Sequence, residues 1–274
     1  MSIRLIVNAD DFGRTGGVSA GIREAHLHGL VTSTTALMNM PGIDEALRLA
    51  MKECPRLGLG VHLVLTSGSP LLPVKEVPSL TSGEARFPNL DDQTARLSKL
   101  HLNEVRAEWR SQIERFIAIT KRPPDHLDSH HHFSYFTEGL FRVMLELAKD
   151  YHCAIRLLRP GKDGKLTGLP SALVPQIEKF IPRLVDELSP RCPDFFEARF
   201  YDRGANTTTL RTIIAGLSEG TTELVCHPGY ADPALLVGSS YNRQRETEVA
   251  VLTDASVLSE VEKKGVQRIT FAEL

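Results

Sequence analysis

Ile3-Arg4-Leu5-Ile6-Val7-Asn8-Ala9-Asp10-Asp11-Phe12-Gly13 sets the reading of the whole chain. The apolar run 3–7 has the length of one buried strand, and it closes on two adjacent carboxylates and a glycine. Such an ending has two readings. Either the carboxylates cap the helix that follows, or they supply oxygen ligands and a general base at the strand's carboxyl end. If the strand ran on unbroken, Asp10 and Asp11 would point to opposite sides. They can share one centre only if the backbone turns there, and Gly13 can take the positive φ that a turn needs.

Outward from this stretch, short apolar runs alternate with helical patterns. A helix over 16–28, with Thr15 as N-cap and Gly29 as stop, leads to a strand over 34–38. A helix over 43–52 closes at Cys54-Pro55, and 57–65 is a third strand. The stretch 66–91 is rich in Pro, Gly and Ser. Its length points to a lid or substrate wall, with a disordered insertion as the alternative. The helix beyond it carries Val105, Trp109, Ile113, Phe116 and Ile117 on one face, a core stripe, and stops at Pro123-Pro124.

Strands at 126–128, 154–158, 195–199, 222–226 and 266–270 then alternate with helices at 138–151, 173–188, 210–217 and 246–264. The 173–188 helix is expected to break at Pro175 and Pro182, and the last near Asp254. About eight alternations predict a mostly parallel sheet with outer helices. No Gly-x-Gly-x-x-Gly follows a strand and no P-loop occurs, which weighs against a nucleotide-binding sheet. The expected fold is α/β, an irregular (β/α) barrel formed as one domain over 1–274.

Size and composition agree. The 274 residues are 42% hydrophobic and 24% charged, ordinary for a globular protein. A formal net charge of -2 gives no electrostatic case for nucleic acid or an anionic membrane, and leaves small neutral substrates. No apolar run is long enough to span a membrane, and no signal-peptide pattern opens the chain. Cys54, Cys153, Cys192 and Cys226 lack Cys-x-x-Cys spacing and read as core thiols in a reducing, cytoplasmic setting. The tail helices have either the barrel or a second subunit to pack against, so a homodimer is an open alternative.

Barrel active sites gather at the carboxyl ends of the strands. Here those ends carry Asp10 and Asp11, His62, the run Asp128-Ser129-His130-His131-His132, and His227 in Cys226-His227-Pro228-Gly229. One carboxylate with two imidazoles is a common metal site that leaves positions open. Asp128 either orients a ligand imidazole or caps the following turn. One or two of His130, His131 and His132 can face one centre. His26, His28, His101 and His152 sit in helical patterns and read as structural or solvated. His227 reads either as a general acid at the mouth or as a hydrogen-bonded core residue.

These motifs, in this order, resemble the YdjC-like carbohydrate deacetylases, which include the chitooligosaccharide deacetylases. The matching stretches are Asn8-Ala9-Asp10-Asp11-Phe12-Gly13, Val31-Thr32-Ser33-Thr34-Thr35-Ala36, Gly60-Val61-His62-Leu63-Val64-Leu65-Thr66, His126-Leu127-Asp128-Ser129-His130-His131-His132 and Cys226-His227-Pro228. The resemblance runs from residue 3 to about 260 and is weakest over 66–91 and 159–193. It implies a barrel with a divalent metal, zinc or magnesium, held by Asp11, His62 and His130, with Asp10 as base and His227 as acid. The implied activity is hydrolysis of the N-acetyl group of an amino sugar, such as chitobiose, in chitin degradation. A phosphoester hydrolase and a noncatalytic sugar-binding protein are the alternatives. Many members carry another histidine where this chain has Ser134, a difference expected to bear on the substrate-facing wall. Tyr230, Phe12 and the 66–91 loop are the candidates for stacking against sugar rings.

Overall fold

The computed structural model describes residues 2–160, 166 and 169–274. Its sheet is built from β1 (Ile3–Phe12), β2 (Ser33–Ala36), β3 (Gly58–Leu63), β4 (His126–Ser129), β5 (Ala154–Ile155), β6 (Phe195–Glu197), β7 (Gly220–Cys226) and β8 (Gln267–Arg268). The order is β5-β4-β3-β2-β1-β7-β6, with β8 also on β1, and every pairing is parallel. The sheet curls into a half-barrel. Among the described residues no ladder joins β5 to β6, so the barrel stays irregular, as the alternation predicts.

The helices are α1 (Gly16–Leu27), α2 (Ile43–Glu53), α3 (Leu90–Thr94), α4 (Leu102–Thr120), α5 (Glu138–Asp150), α6 (Val174–Leu188), α7 (Thr207–Gly216), α8 (Pro233–Gly238), α9 (Gln244–Leu252) and α10 (Ala255–Lys263). Thr15 caps α1 as expected, its hydroxyl accepting from the Val18 amide, a bond worth about 1 kcal/mol. Trp109, Ile113 and Phe116 of α4 are fully buried, and α4 packs on α5 and α2. No described helix is long and apolar enough to cross a membrane, and all four cysteines are free.

Strand alternation builds the interior in layers. Leu5, Val7 and Ala9 of β1 face the helices and join the main core. Ile6 faces the other way and packs with Ala154, Ile269 and Phe271, an apolar plug at the amino end of the barrel. Two residues on, Asn8 is wholly buried, and two further on comes Asp10. The same period turns Thr35, His62, Asp128, Arg156 and Glu223 toward this interior, where their polar atoms meet.

Three expectations need correction. Strand β1 does not end at Val7 but runs through the aspartates to Phe12. Helix α6 is continuous across Pro182, because that residue lies on the exposed face while Ile177, Phe180, Ile181 and Leu184 anchor the other; Pro175 sits in the first turn, where its missing N–H is harmless. The 66–91 stretch is no disordered insertion. Glu108 accepts from the Leu71 and Leu72 amides, Glu104 from the Ser79 amide, and Val77, Leu80 and Phe87 are buried.

Candidate active site

The carboxyl ends of the strands open on a cavity of about 370 Å³, walled by Asp10, Asp11, His62, His130 and His227 among others. All five side chains expected at the strand ends therefore meet at one place.

Both aspartates reach it because β1 carries an extra residue. Against β2, Asn8 pairs with Ser33 and Ala9 with Thr34, but Phe12 pairs with Ala36. The bulge turns Asp11 into the left-handed region at φ 71°, and Gly13 follows at 87°. Strict alternation would have sent Asp11 outward.

The two carboxylates are then treated differently. Arg156 grips Asp10 with two bonds, 2.8 Å to Oδ2 and 2.6 Å to Oδ1, and Asn8 adds a third at 2.9 Å to Oδ1. Burial alone would raise the Asp10 carboxyl, but Arg156 outweighs it and holds the group well below the usual carboxylate range. Asp11 gives Oδ2 to Arg245 at 2.5 Å, which, against the cost of burial, likewise keeps it ionised. Its Oδ1 is buried and accepts no hydrogen bond, although His130 Nδ1 lies at 3.1 Å and His62 Nε2 at 3.7 Å.

The imidazoles are set up to complete a donor set. His62 Nδ1 lies 2.6 Å from Asp128 Oδ1, so that nitrogen carries a proton and Nε2 is the one that faces Asp11. Asp128 thus orients an imidazole, but that of His62 on the neighbouring strand and not one in its own histidine run. Burial would lower His62, yet Asp128, Asp10 and Asp11 push it up to about 8. Burial lowers His130. Ligand atoms of Asp11, His62 and His130 lie within 4.8 Å of one another. The orphaned Asp11 Oδ1 facing two imidazole nitrogens fits a divalent cation.

His227 stands across the cavity, its Nε2 3.9 Å from Asp10 Oδ2 and its Nδ1 without a partner. Burial pushes it down to about 4, so the resting ring is neutral at neutral pH. Its backbone N–H donates to Glu248, which also accepts from the Tyr241 hydroxyl. His131 and His132 line the cavity wall, both at positive φ, with the His131 ring tied to Thr66 at 3.0 Å.

Several residues lay outside the sequence reading. Arg156 bridges Asp10, Asp128 and Glu223 from within an apolar strand pattern; a charge in such a run was the available signal. Arg245 and Glu248 share the buried face of α9, whose first residues lie ahead of the helix expected over 246–264. The aromatic wall is Tyr201 stacked on Tyr241 at 4.4 Å, not the expected residues. Phe12 is fully buried, and neither Tyr230 nor any residue of 66–91 lines the cavity. Ser134 does not face the substrate side either, because it is buried and bonded to Ser129.

A parallel half-barrel whose open end gathers a carboxylate–imidazole donor set, a second carboxylate and a further histidine has the layout of an α/β-barrel hydrolase. The chain belongs to the YdjC-like protein family, which it matches over residues 4–263. It is 38% identical to a chitooligosaccharide deacetylase of Proteus mirabilis, covering 100% of both chains. It is 37% identical to a carbohydrate deacetylase of Brevibacillus brevis, over 99% of this chain and 100% of the other. Among solved structures, a protein from Enterococcus faecalis V583 described as a cellobiose-phosphate cleavage protein superposes with a TM-score of 0.85 at 34% identity, covering 100% of this chain and 99% of that one.

Proposed function

We propose that this enzyme hydrolyses the N-acetyl group of an amino sugar, N-acetylglucosamine in chitobiose or a short chitooligosaccharide, with a divalent cation held by Asp11, His62 and His130. The observation that carries the proposal is the buried, unbonded Asp11 Oδ1 facing two imidazole nitrogens beside Asp10 and His227. Two nitrogen donors favour zinc over magnesium, which prefers an all-oxygen shell.

Bound there, the cation would polarise the acetyl carbonyl and acidify a water. Asp128 and Arg245 keep His62 and Asp11 aimed at that position. Asp10, held ionised by Arg156, is a weak base and accepts a proton only from a water already made acidic. His227 rests neutral, so it must take up a proton before it delivers one to the departing amine. Tyr201, edge-on to His227, offers an aromatic face for the sugar ring.

The test is acetate release from N,N'-diacetylchitobiose by zinc-loaded enzyme, with a chelator arm and His130→Ala as control. Release that stops in both supports the reading. Bound zinc without release overturns the substrate and keeps the site.

A further inference from the structure

The polar column inside the barrel does not stop at Asp10. Below it lies Asn8, and below Asn8 the wholly buried ring of His126 at the start of β4. His126 Nε2 is 3.1 Å from Asn8 Oδ1, and its Nδ1 is 2.5 Å from Asp125 Oδ1. The cage around the ring is built for it. Phe271 stacks flat on it at 3.7 Å and 8°, and a Cβ on Gly60 would lie 2.5 Å from the ring.

The direction of each bond follows from what its neighbours can do. The Asp10 carboxylate, gripped by Arg156, only accepts, so the Asn8 amide nitrogen must face it. The Asn8 carbonyl therefore faces His126 and accepts from an Nε2 that carries a hydrogen. The short contact between Nδ1 and Asp125 holds the ring from its other side.

We propose that His126 is a positioning residue for the reaction: held by Asp125 and donating from Nε2, it braces the Asn8 amide and through it sets which oxygen of Asp10 works. The inference rests on Asp10 acting as the base. Arg156 bonds the two Asp10 oxygens alike, at 2.8 and 2.6 Å, and cannot tell them apart. Asn8 loads only Oδ1, leaving Oδ2 as the oxygen that faces His227. Without the His126 bond, the Asn8 amide loses the anchor on its carbonyl, and its hold on Asp10 Oδ1 is braced from one side only.

The test compares wild type, His126→Phe, His126→Gln, Asn8→Ala and the Asn8→Ala/His126→Phe double variant, all zinc-loaded. The readouts are kcat and KM for acetate release from N,N'-diacetylchitobiose, zinc affinity by calorimetry, and ring 15N shifts of labelled histidine. His126→Phe keeps a stacking ring and is expected to lower kcat about 10- to 100-fold, with KM and zinc affinity unchanged. His126→Gln, which keeps a donor for Asn8, restores part of the loss. Asn8→Ala matches His126→Phe, and the double variant loses no more than either single one. A kcat unchanged in Asn8→Ala overturns the proposal even if His126→Phe fails to fold. A His126 ring with no hydrogen on Nε2 overturns the proposal, whatever the substrate. Wild-type enzyme that releases no acetate sinks the proposed function instead, and leaves the ring spectrum to decide the state of His126.

Discussion

Asp10 and Asp11 are the same chemical group one residue apart, and their surroundings could hardly differ more. Asp10 accepts two bonds from Arg156 and one from Asn8, which leaves only one site open, on Oδ2. Asp11 has one oxygen on Arg245 and the other buried with nothing bonded to it. A carboxylate saturated by a guanidinium has little left for a cation, whereas one with an idle oxygen facing two imidazoles is half of a metal site. The contrast shows how a half-barrel can divide labour between neighbouring residues: the backbone bulge aims them, and two arginines on different elements tell them apart.

Substitutions can break this division one partner at a time. The largest effect is expected at Asp10. Asp10→Asn should lower kcat by about 10²- to 10⁴-fold while leaving zinc affinity intact; equal losses in kinetics and calorimetry would move Asp10 into the ligand set. Next is Arg156→Met, which strands Asp10, Asp128 and Glu223 together in the barrel interior. It should cost about 3–5 kcal/mol in urea unfolding, and an unchanged midpoint would show that the three carboxyls find other partners. Arg245→Met frees Asp11 Oδ2 and should weaken zinc binding about 10- to 100-fold without such a loss of stability.

The smallest effect concerns pH. Burial, only partly offset by Arg156, pushes Glu223 up to about 7. The folded state therefore favours the protonated carboxyl, so this residue's contribution is fully present below its unfolded value. It is lost as pH rises from about 4.5 to about 7. Glu223→Gln should remove that slope. Melting temperatures of the variant and the wild type across this range should converge or separate steadily, and parallel curves would contradict the raised value.

Much of this was legible in the chain. Strand ends marked by Asp10, Asp11, His62, His130 and His227 do converge, because a parallel sheet brings all its carboxyl ends to one side. What escaped was what depends on distant partners. The bulge that turns Asp11 inward is a register event between β1 and β2, and no local pattern announces it. Arg156 and Glu223 looked like flaws in apolar strands because the residues that neutralise each other lie 67 positions apart. The 66–91 stretch has a loop's composition, yet its order comes from two glutamates of α4 capping its amides. Phe12 was misplaced for the converse reason: after the bulge its side chain turns into the core.

The left-handed backbone at Asp11 also limits what protein engineering can do with the site. Glycine, asparagine and aspartate adopt that conformation most readily, with histidine tolerated as at His131 and His132, and most other side chains meet a steric penalty of about 1–2 kcal/mol there. Exchanging Asp11 for glutamate or cysteine to recruit a different ion therefore strains the main chain before any coordination bond forms. A redesign of metal preference would have to begin by removing the extra residue from β1, and would then lose the geometry that brings both aspartates into one cavity.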